Sequence, residues 1–380
     1  MQIKSIKSRT ILNSAADWTI ETKIELNDGS TGIASVPGGI SKGKNEADTL
    51  PANEAVERGG EIAGELTDRE FKDQADFDDF LIKLDSTEKK SKLGGNTILS
   101  LSTAFCKANA KSLKLQTYEY IHKLLNPEID IIETEFDTPQ MMMLMCEGGL
   151  HGTGGASIQE FMAIVDDVNR GTEIYKKIKT ELKKLGKSTN VGTEGAFSPD
   201  GYDNEQILSL ISGFLHGDKL ALDVAASSFK DNTPPIDYDV MLKNYPIASI
   251  EDPFDENDWT SWEMFAQKHL ESDPQLTIVT DDITTTNPNI LRRAIQKNIG
   301  NAILVKPNQI GTVTETLEVI RIAQGANWKI IISHRGTDTN DDFVADLAVG
   351  SGADFVKFGA PARGERVAKY NRLMEIFQTT

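Results

Sequence analysis

Six short apolar segments in the second half of the chain each end in a residue type that can do chemistry. The six terminal residues are Asp223, Glu251, Asp281, Lys306, His334 and Lys357. Successive members lie roughly 23 to 30 residues apart, which is enough for one strand, one crossover helix and two loops. Strand ends gather at one face of a parallel βα barrel, so the pattern predicts one site that combines carboxylates, amines and an imidazole.

The three carboxylates indicate a metal site. Asp223, Glu251 and Asp281 follow three consecutive strands, so we expect them to converge at one side of the barrel mouth. Carboxylates that lie close together repel one another, and a hard divalent cation relieves this repulsion. An all-oxygen ligand set favours Mg²⁺ over Zn²⁺. The alternative is that each carboxylate caps a loop or pairs with a lysine, but its recurrence in three successive units favours a metal.

Lys306 and Lys357 end strands on the opposite arc of the barrel. A lysine near a metal ion and a second lysine should have a lowered pKa, which would suit it as a general base. The alternative is that both lysines pair with the carboxylates. The two interpretations are compatible.

Three further polar residues could belong to the same site. Arg335 follows His334 at a strand end and could bind phosphate or carboxylate with its guanidinium group. His151 lies in a glycine-rich loop, where a lone histidine is more often simply solvated. Glu194 is flanked by glycines, and taken alone it could serve only the turn.

The elements that must position these residues form two predicted domains. Residues 140–145 and 157–165 resemble strands joined by too few residues for a crossover helix, so they should be antiparallel. Two helices, at 171–185 and about 205–215, and six βα units follow. We therefore predict an α/β fold, a (β/α)8 TIM-like barrel of ββαα(βα)6 order over residues 126–380.

The amino-terminal part, residues 1–125, is predicted to be a small α+β domain, with strands over 3–37 and helices over 52–125. Its loop at 38–44 matches part of a nucleotide-binding P-loop. Asn45 stands where that motif needs Ser or Thr, and Pro51 compromises the helix that should follow. A P-loop is therefore disfavoured.

Three later helices have sequence signals for their starts. Asn287-Pro288 predicts an N-cap followed by proline at the first helical position. Thr312 with Glu315, and Thr339 with Asp342, predict capping boxes. These signals alternate with the apolar segments and support the βα repeat.

Composition narrows the class of protein. The 380 residues carry a net charge of −18, which argues against nucleic acid or an anionic membrane as the main partner. No apolar stretch is long enough for a membrane span. Cys106 and Cys146 are expected to be reduced thiols in a cytoplasmic protein, since no signal-peptide pattern is seen.

Several motifs resemble those of the enolase family, the glycolytic lyases that interconvert 2-phosphoglycerate and phosphoenolpyruvate. The resemblance runs from about residue 11 to residue 376, in the same order, and is strongest after residue 219. The motifs are Gln159-Glu160-Phe161-Met162, Leu222-Asp223-Val224-Ala225, Ser249-Ile250-Glu251-Asp252-Pro253-Phe254, Lys306-Pro307-Asn308-Gln309-Ile310-Gly311-Thr312, Ser333-His334-Arg335 and Gly359-Ala360-Pro361-Ala362-Arg363. The family's small α+β domain and ββαα(βα)6 barrel agree with the elements predicted above.

The resemblance implies two magnesium ions. Asp223, Glu251 and Asp281 would ligate the first. Ser41, in the glycine-rich loop, would help to hold a second together with the substrate phosphate.

The resemblance also implies roles in proton transfer and substrate binding. Lys306 would remove the proton from carbon 2, and Glu194, supported by Glu160, would assist the departure of hydroxide from carbon 3. Lys357 would hold the substrate carboxylate, with His334 beside it. The implied substrate contacts are completed by Arg335, His151 and Gln159.

The sequence departs from the family pattern at Gly38, Thr193 and Gly336, and at residues 13–19, which help to hold the family's dimer. A homodimer or higher homo-oligomer is still what the resemblance implies. We expect a phosphopyruvate hydratase. The alternatives are a lyase for a different phosphorylated 2-hydroxy acid, motivated by the first departures, and a non-catalytic enolase-like binding protein.

Overall fold

The computed structural model describes residues 1–39, 43–131, 134–152, 155–230 and 233–378. Its first part is an antiparallel sheet of order β1-β2-β3 covered by helices. The elements are β1 (Ile3–Leu12), β2 (Trp18–Leu26), β3 (Thr31–Ser35), α1 (Ala52–Leu66), α2 (Gln74–Asp85), α3 (Gly95–Ser112) and α4 (Thr117–Leu125).

Alternation in β2 explains how this sheet is covered. Ile20, Ile24 and Leu26 are buried, whereas Lys23 between them is exposed. The buried face packs against α3, where a backbone carbonyl lies so close to Gly32 that a Cβ there would be 1.9 Å away from it. Glycine at this position therefore lets the helix lie directly on the sheet.

The second part is a closed eight-stranded barrel of order β10-β11-β4-β5-β6-β7-β8-β9. Its strands are β4 (Gln140–Glu147), β5 (Glu160–Val165), β6 (Lys219–Asp223), β7 (Ile247–Glu251), β8 (Thr277–Thr280), β9 (Ala302–Val305), β10 (Lys329–Ser333) and β11 (Phe355–Lys357). Its helices are α5 (Val168–Lys184), α6 (Asn204–Ser212), α7 (Tyr238–Asn244), α8 (Trp259–Ser272), α9 (Pro288–Gln296), α10 (Pro307–Ile310), α11 (Val313–Gly325), α12 (Phe343–Ser351) and α13 (Gly364–Gln378). This order confirms the predicted ββαα(βα)6 barrel.

The direction of β5 decides which of its ends faces the site. β5 is antiparallel to both β4 and β6, while the remaining neighbours in the barrel are parallel. Glu160, the first residue of β5, therefore pairs with Glu147 and Asp223, the last residues of β4 and β6. A residue at a strand's beginning thus joins the ring of strand ends, as the predicted antiparallel pair requires.

Two of the three predicted helix starts are confirmed. The Asn287 side chain accepts backbone N–H bonds at the start of α9, and Pro288 is at the first helical position. Thr312 accepts the N–H of Glu315 at the start of α11, which is the cap half of the predicted box; the Glu315 carboxylate accepts from the Thr312 hydroxyl at 2.6 Å instead of the Thr312 N–H. The box at Thr339 is wrong: α12 begins at Phe343, and the N–H of Phe343 is bound by Asp341 instead.

The amino-terminal elements are tied to the barrel by buried polar contacts. Asp78 of α2 accepts hydrogen bonds from the N–H and hydroxyl of Thr314, at the first turn of α11. Asp341, before α12, accepts the N–H of Ser35 and lies 2.9 Å from the Lys107 ammonium group. These contacts hold α2, α3 and the end of β3 against the barrel segments that follow β9 and β10. Across the described ranges, every helix is too short or too polar to cross a membrane.

Candidate active site

A cavity of about 310 Å³ lies at the carboxyl ends of the barrel strands. Gly43 and Glu46, from the loop after β3, also line it, so the amino-terminal part closes one side. The residues that the sequence analysis placed in the site and that line this cavity are His151, Gln159, Glu160, Glu194, Asp223, Asp281, Lys306, His334, Arg335 and Lys357. Glu251 is 2% exposed and reaches the same cluster through its contact with Lys357.

Lys357 lies among three carboxylates. Its Nζ is 2.8 Å from both Asp223 Oδ2 and Glu251 Oε2, and 3.2 Å from Glu160 Oε2. Burial by itself would lower the pKa of Lys357, but the three negative charges raise it well above its ordinary value. The pairing of lysines with carboxylates, which the sequence left open, is thus observed.

Lys306, directly after β9, lies 2.5 Å from Asp281 Oδ2 through its Nζ. Burial would lower the pKa of Lys306, but Asp281 outweighs both burial and the positive charges of Arg335 and Lys357, so this pKa is raised. The lowered pKa expected from sequence applies to a lysine beside a bound metal ion, and it stays a prediction. The same contact keeps the pKa of Asp281 below its ordinary value despite burial.

The carboxylates beside these lysines fit a divalent cation. Ligand atoms of Glu251, Asp252 and Asp281 all lie within 4.8 Å of one another. Glu251 Oε1 is buried and has no hydrogen-bond partner among the described residues. Burial, together with the nearby charge of Asp223, raises the pKa of Glu251 well above its ordinary value. A cation would relieve this repulsion and complete the contacts of that oxygen.

Asp252 differs from the other two carboxylates of this group, because its oxygens already accept hydrogen bonds from backbone N–H groups. Its two oxygens accept the N–H groups of Asp281 at 3.0 Å and Asp282 at 2.9 Å. The residue holds the turn after β8 in place and so orients the Asp281 side chain. Glu251 and Asp281, with Asp223 on the neighbouring strand, are the better candidates for ligands.

On the other side of the cavity, His334 contacts Glu194. His334 Nε2 lies 2.9 Å from Glu194 Oε2, and His334 Nδ1 lies 2.8 Å from Nη1 of Arg366. An arginine can only donate, so Nδ1 must accept and the ring proton must be on Nε2, facing Glu194. Burial lowers the pKa of His334 to about 4, so the imidazole is neutral at pH 7.

The pKa values of Glu160 and Glu194 are shifted in opposite directions although both carboxyl groups are buried. Burial raises the pKa of Glu160 well above its ordinary value, and the charge of Glu194 adds to this in spite of Lys357. Burial acts in the same direction on Glu194, but His334 and His151 hold its pKa well below the ordinary range. His151 Nδ1 is 3.6 Å from Glu160 and 3.8 Å from Glu194. The two pKa shifts therefore favour the protonated form of Glu160 and the ionised form of Glu194.

Comparison with known proteins agrees with both parts of this architecture. The family model described as "Enolase, N-terminal domain" matches residues 3–121, and "Enolase, C-terminal TIM barrel domain" matches residues 135–240 and 235–379. The chain belongs to the enolase family. It is 38% identical to the enolase of Neorickettsia sennetsu, with 99% of each chain covered. It is 39% identical to the enolase of Elusimicrobium minutum, over 99% of this chain and 96% of that one.

Enolase-family membership makes the chain a carbon–oxygen lyase and indicates that it uses a divalent metal and a small phosphorylated substrate. Within this enolase fold, Gln159 lies on the cavity wall, and its backbone N–H donates to the Asp223 carbonyl. Ser41 lies outside the described residues. The remaining predicted site residues are brought together as described above.

The sequence analysis missed Glu147, a buried carboxylate of this enolase site. Its Oε1 accepts the N–H groups of Glu194 at 3.1 Å and Ala196 at 2.7 Å. A Cβ on Gly192 would lie 2.3 Å from the other oxygen, so glycine is needed there for close approach. Burial and the charge of Glu194 raise the pKa of Glu147 to about 8. The signal was available, since an apolar run ends at Glu147 as at the other strand ends.

Two further residues of the enolase site had no such signal. Glu46, from the loop before α1, forms an ion pair with Arg335 at 3.2 Å, and both side chains are buried. Arg366, in α13, is fully buried and also contacts the backbone carbonyls of Arg335 and Gly336. Glu46 and Arg366 each contact the Arg335 region from an element that is distant in sequence. Spacing along the chain therefore does not reveal them.

Proposed function

We propose that the protein catalyses the reversible, Mg²⁺-dependent dehydration of 2-phosphoglycerate to phosphoenolpyruvate. The observation that carries this proposal is the placement of a lysine opposite a pair of carboxylates. Lys306 follows β9 and Glu160 begins β5, and these strands are four positions apart in the ring of eight. Groups from opposite sides of a barrel reach opposite faces of a bound molecule.

This arrangement suits an elimination in which the proton and the hydroxide leave from different carbons. Lys306, as general base, takes the proton from carbon 2 on one face. Glu194 and Glu160, as the acid pair, act at the carbon 3 hydroxyl on the other. The pKa of Glu160 is raised and that of Glu194 is lowered, which favours the proton on Glu160, and His151 Nδ1 lies close to both carboxyl groups, at 3.6 and 3.8 Å.

The remaining charged side chains suit the two anionic ends of the substrate. Lys357 would hold the substrate carboxylate and His334 would lie beside it. Arg335 would bind the phosphate, with His151 and Gln159 nearby. Phosphate binding would compete with Glu46 for the guanidinium group of Arg335, which lies 3.2 Å away.

Asp223, Glu251 and Asp281 would hold Mg²⁺, as their all-oxygen donor set favours. A bound cation supplies positive charge beside the carboxylate, where negative charge develops on proton removal. Ligation of a cation by Asp281 would draw negative charge away from Lys306 and so weaken the attraction that raises the pKa of Lys306. A second Mg²⁺, held by Ser41 with the substrate phosphate, stays a prediction.

The test is turnover by the purified protein with Mg²⁺ and 2-phosphoglycerate, followed by the ultraviolet absorbance of phosphoenolpyruvate. We expect phosphoenolpyruvate to form from 2-phosphoglycerate, and 2-phosphoglycerate to form when the assay starts from phosphoenolpyruvate. A folded protein that gives no product would refute the proposal and favour a non-catalytic binding protein. A panel of other phosphorylated 2-hydroxy acids, assayed in parallel, would reveal a lyase of different specificity if one of them is clearly preferred.

We further propose that the protein acts in the cytoplasm as a homodimer or higher homo-oligomer. The two cysteines, Cys106 and Cys146, are unpaired and buried, which suits a reducing compartment. Trp18 and Leu12 pair across β1 and β2 and are more than half exposed, which suits a contact with a second copy. Sizing chromatography tests this, and a monomer at micromolar concentration would contradict it.

A further inference from the structure

Thr337, in the loop after β10, is attached to the segment that follows β3. Its hydroxyl accepts the N–H of Gly39 at 2.7 Å, and its carbonyl accepts the N–H of Gly38 at 2.9 Å. Thr337 is 8% exposed. Two consecutive N–H groups of the amino-terminal part are therefore held by one barrel residue.

Asn308 holds the same segment from another side. Its side-chain amide donates to the Gly38 carbonyl at 2.9 Å, and its Oδ1 accepts a weaker contact from Arg335 Nη1 at 3.4 Å. The main chain of Gly38 and Gly39 is thus fixed relative to Arg335, the candidate phosphate ligand.

Close approach explains why two glycines occupy this segment. A Cβ on Gly39 would lie 2.3 Å from Arg335 Nη2, and the φ of Gly39 is +145°. A Cβ on Gly38 would lie 2.4 Å from Thr337 Oγ1 but 3.6 Å from Thr337 Cβ. A side chain at position 38 would therefore collide with the Thr337 hydroxyl, so threonine at 337 requires glycine at 38.

We propose that Thr337 is a positioning residue for phosphate binding, because it holds the Gly38–Gly39 main chain against the Arg335 guanidinium group. This inference rests on the proposed function, in which Arg335 binds the substrate phosphate. The hydroxyl oxygen is the group that matters, since it accepts the Gly39 N–H, whereas the carbonyl of any residue at 337 could accept the Gly38 N–H.

The first experiment separates the hydroxyl from the size of the side chain. Thr337→Val keeps the shape and removes the acceptor, and Thr337→Ser keeps the acceptor. Loss of one hydrogen bond predicts that Thr337→Val raises the KM for 2-phosphoglycerate roughly fivefold with kcat little changed. Thr337→Ser should stay close to the wild-type KM. A Thr337→Val variant with wild-type KM would overturn the inference.

A measurement without turnover uses protein labelled with ¹⁵N-glycine. Exchange of the Gly39 amide with solvent should be faster in Thr337→Val than in the wild type, and unchanged in Thr337→Ser. Titration with inorganic phosphate in the presence of Mg²⁺ should give a Kd roughly fivefold weaker in Thr337→Val. Faster exchange with unchanged phosphate affinity would also overturn the inference, because the contact would then not serve phosphate binding.

The steric part is tested by a double-mutant cycle. Gly38→Ala should weaken phosphate binding in the wild type, because the new methyl group meets the Thr337 hydroxyl. In a Thr337→Ala background the same change should have little further effect. If the effects of Gly38→Ala and Thr337→Ala on phosphate binding are additive, the two positions do not interact and the steric part of the inference is wrong. Gly64→Ala, at a helical glycine with nothing within 4 Å of its added Cβ, is the matched control and should leave binding unchanged.

The two proposals fail separately. Wild-type protein without turnover removes the proposed function, while a weaker phosphate Kd in Thr337→Val would still support this inference. Normal wild-type turnover with unaltered KM and phosphate affinity in Thr337→Val removes the inference alone.

Discussion

The two sides of the cavity balance their buried charges in different ways. On the side formed by β6 to β9 and β11, carboxylates are matched by the ammonium groups of Lys306 and Lys357 at 2.5–2.8 Å. On the side formed by β4, β5 and the Glu194 loop, Glu194 lies against His334 and His151, and Glu160 lies near His151 and also 3.2 Å from Lys357. We call these the ammonium side and the histidine side.

The difference shows how each side responds to a change of charge. On the ammonium side a divalent cation can take the place of an ammonium group beside the carboxylates and adds one further positive charge, which suits metal binding and proton removal. On the histidine side burial raises the pKa of Glu160, whereas His334 and His151 lower that of Glu194 in spite of burial, so the two values are pushed apart. Groups with separated pKa values suit the transfer of a proton to a leaving group.

The largest expected effect is on the ammonium side, from removal of divalent cations. Chelation with EDTA should reduce turnover to background, and Mg²⁺ should restore it. Glu251→Gln removes one negative charge and should weaken Mg²⁺ binding in calorimetry, whereas Glu263→Gln, on the exposed surface of α8, is the matched control. Full activity in EDTA would show that the carboxylates are only partners of the lysines.

Lys306→Ala should lower kcat by roughly 10² to 10⁴-fold, because it removes the candidate general base. The variant should stay folded in circular dichroism, although Asp281 loses its partner. Lys297→Ala, at an exposed ion pair with Glu263, provides the comparison and should be active. Retained turnover in Lys306→Ala would reject this base.

On the histidine side, His334→Leu should lower kcat by roughly 10²-fold, since Glu194 loses the N–H that favours its ionised form. His334→Gln can still donate and should lose about tenfold. The pKa of His334 is lowered to about 4, so the imidazole is neutral above that pH and should give no step in the rate near pH 6.5. A His334-dependent step near pH 6.5 would contradict the burial and tautomer assigned here.

The smallest expected effect concerns stability and Glu147. Its pKa rises from 4.5 in the unfolded chain to about 8 in the folded protein. The favourable contribution is therefore complete below pH 4.5 and is lost as the pH rises to 8, because the unfolded state releases its proton first. Glu147→Gln should remove this slope and raise the unfolding free energy at pH 9 by about 2 kcal/mol. Urea unfolding of the wild type and of Glu147→Gln at pH 5 and pH 9 measures this difference. If the unfolding free energies of the two proteins change equally with pH, Glu147 ionises with an ordinary pKa.

Much of the fold followed from local patterns. Short apolar runs that alternate with helical stretches located the barrel strands, and the brief connection between β4 and β5 required their antiparallel direction. The rule that strand ends carry the site located Asp223, Glu251 and Asp281. Applied to the run ending at Glu147, the same rule would have found that residue too. The capping box predicted at Thr339 was wrong, because a sequence pattern cannot show which nearby residue accepts the free N–H groups at the helix start. Here Asp341 accepts the N–H of Phe343.

By itself, the sequence determined the family, the succession of elements and the set of groups at the barrel mouth, because these depend on periodicity and on order along the chain. Tertiary structure alone decided how those groups pair. The pKa of Lys306 is raised because the charge of Asp281 outweighs burial and the competing cations, and the tautomer of His334 follows from Arg366. Thr337 meets Gly39 across nearly three hundred positions of the chain. Such pairings depend on distance and burial in three dimensions, and neither quantity is a function of local spacing.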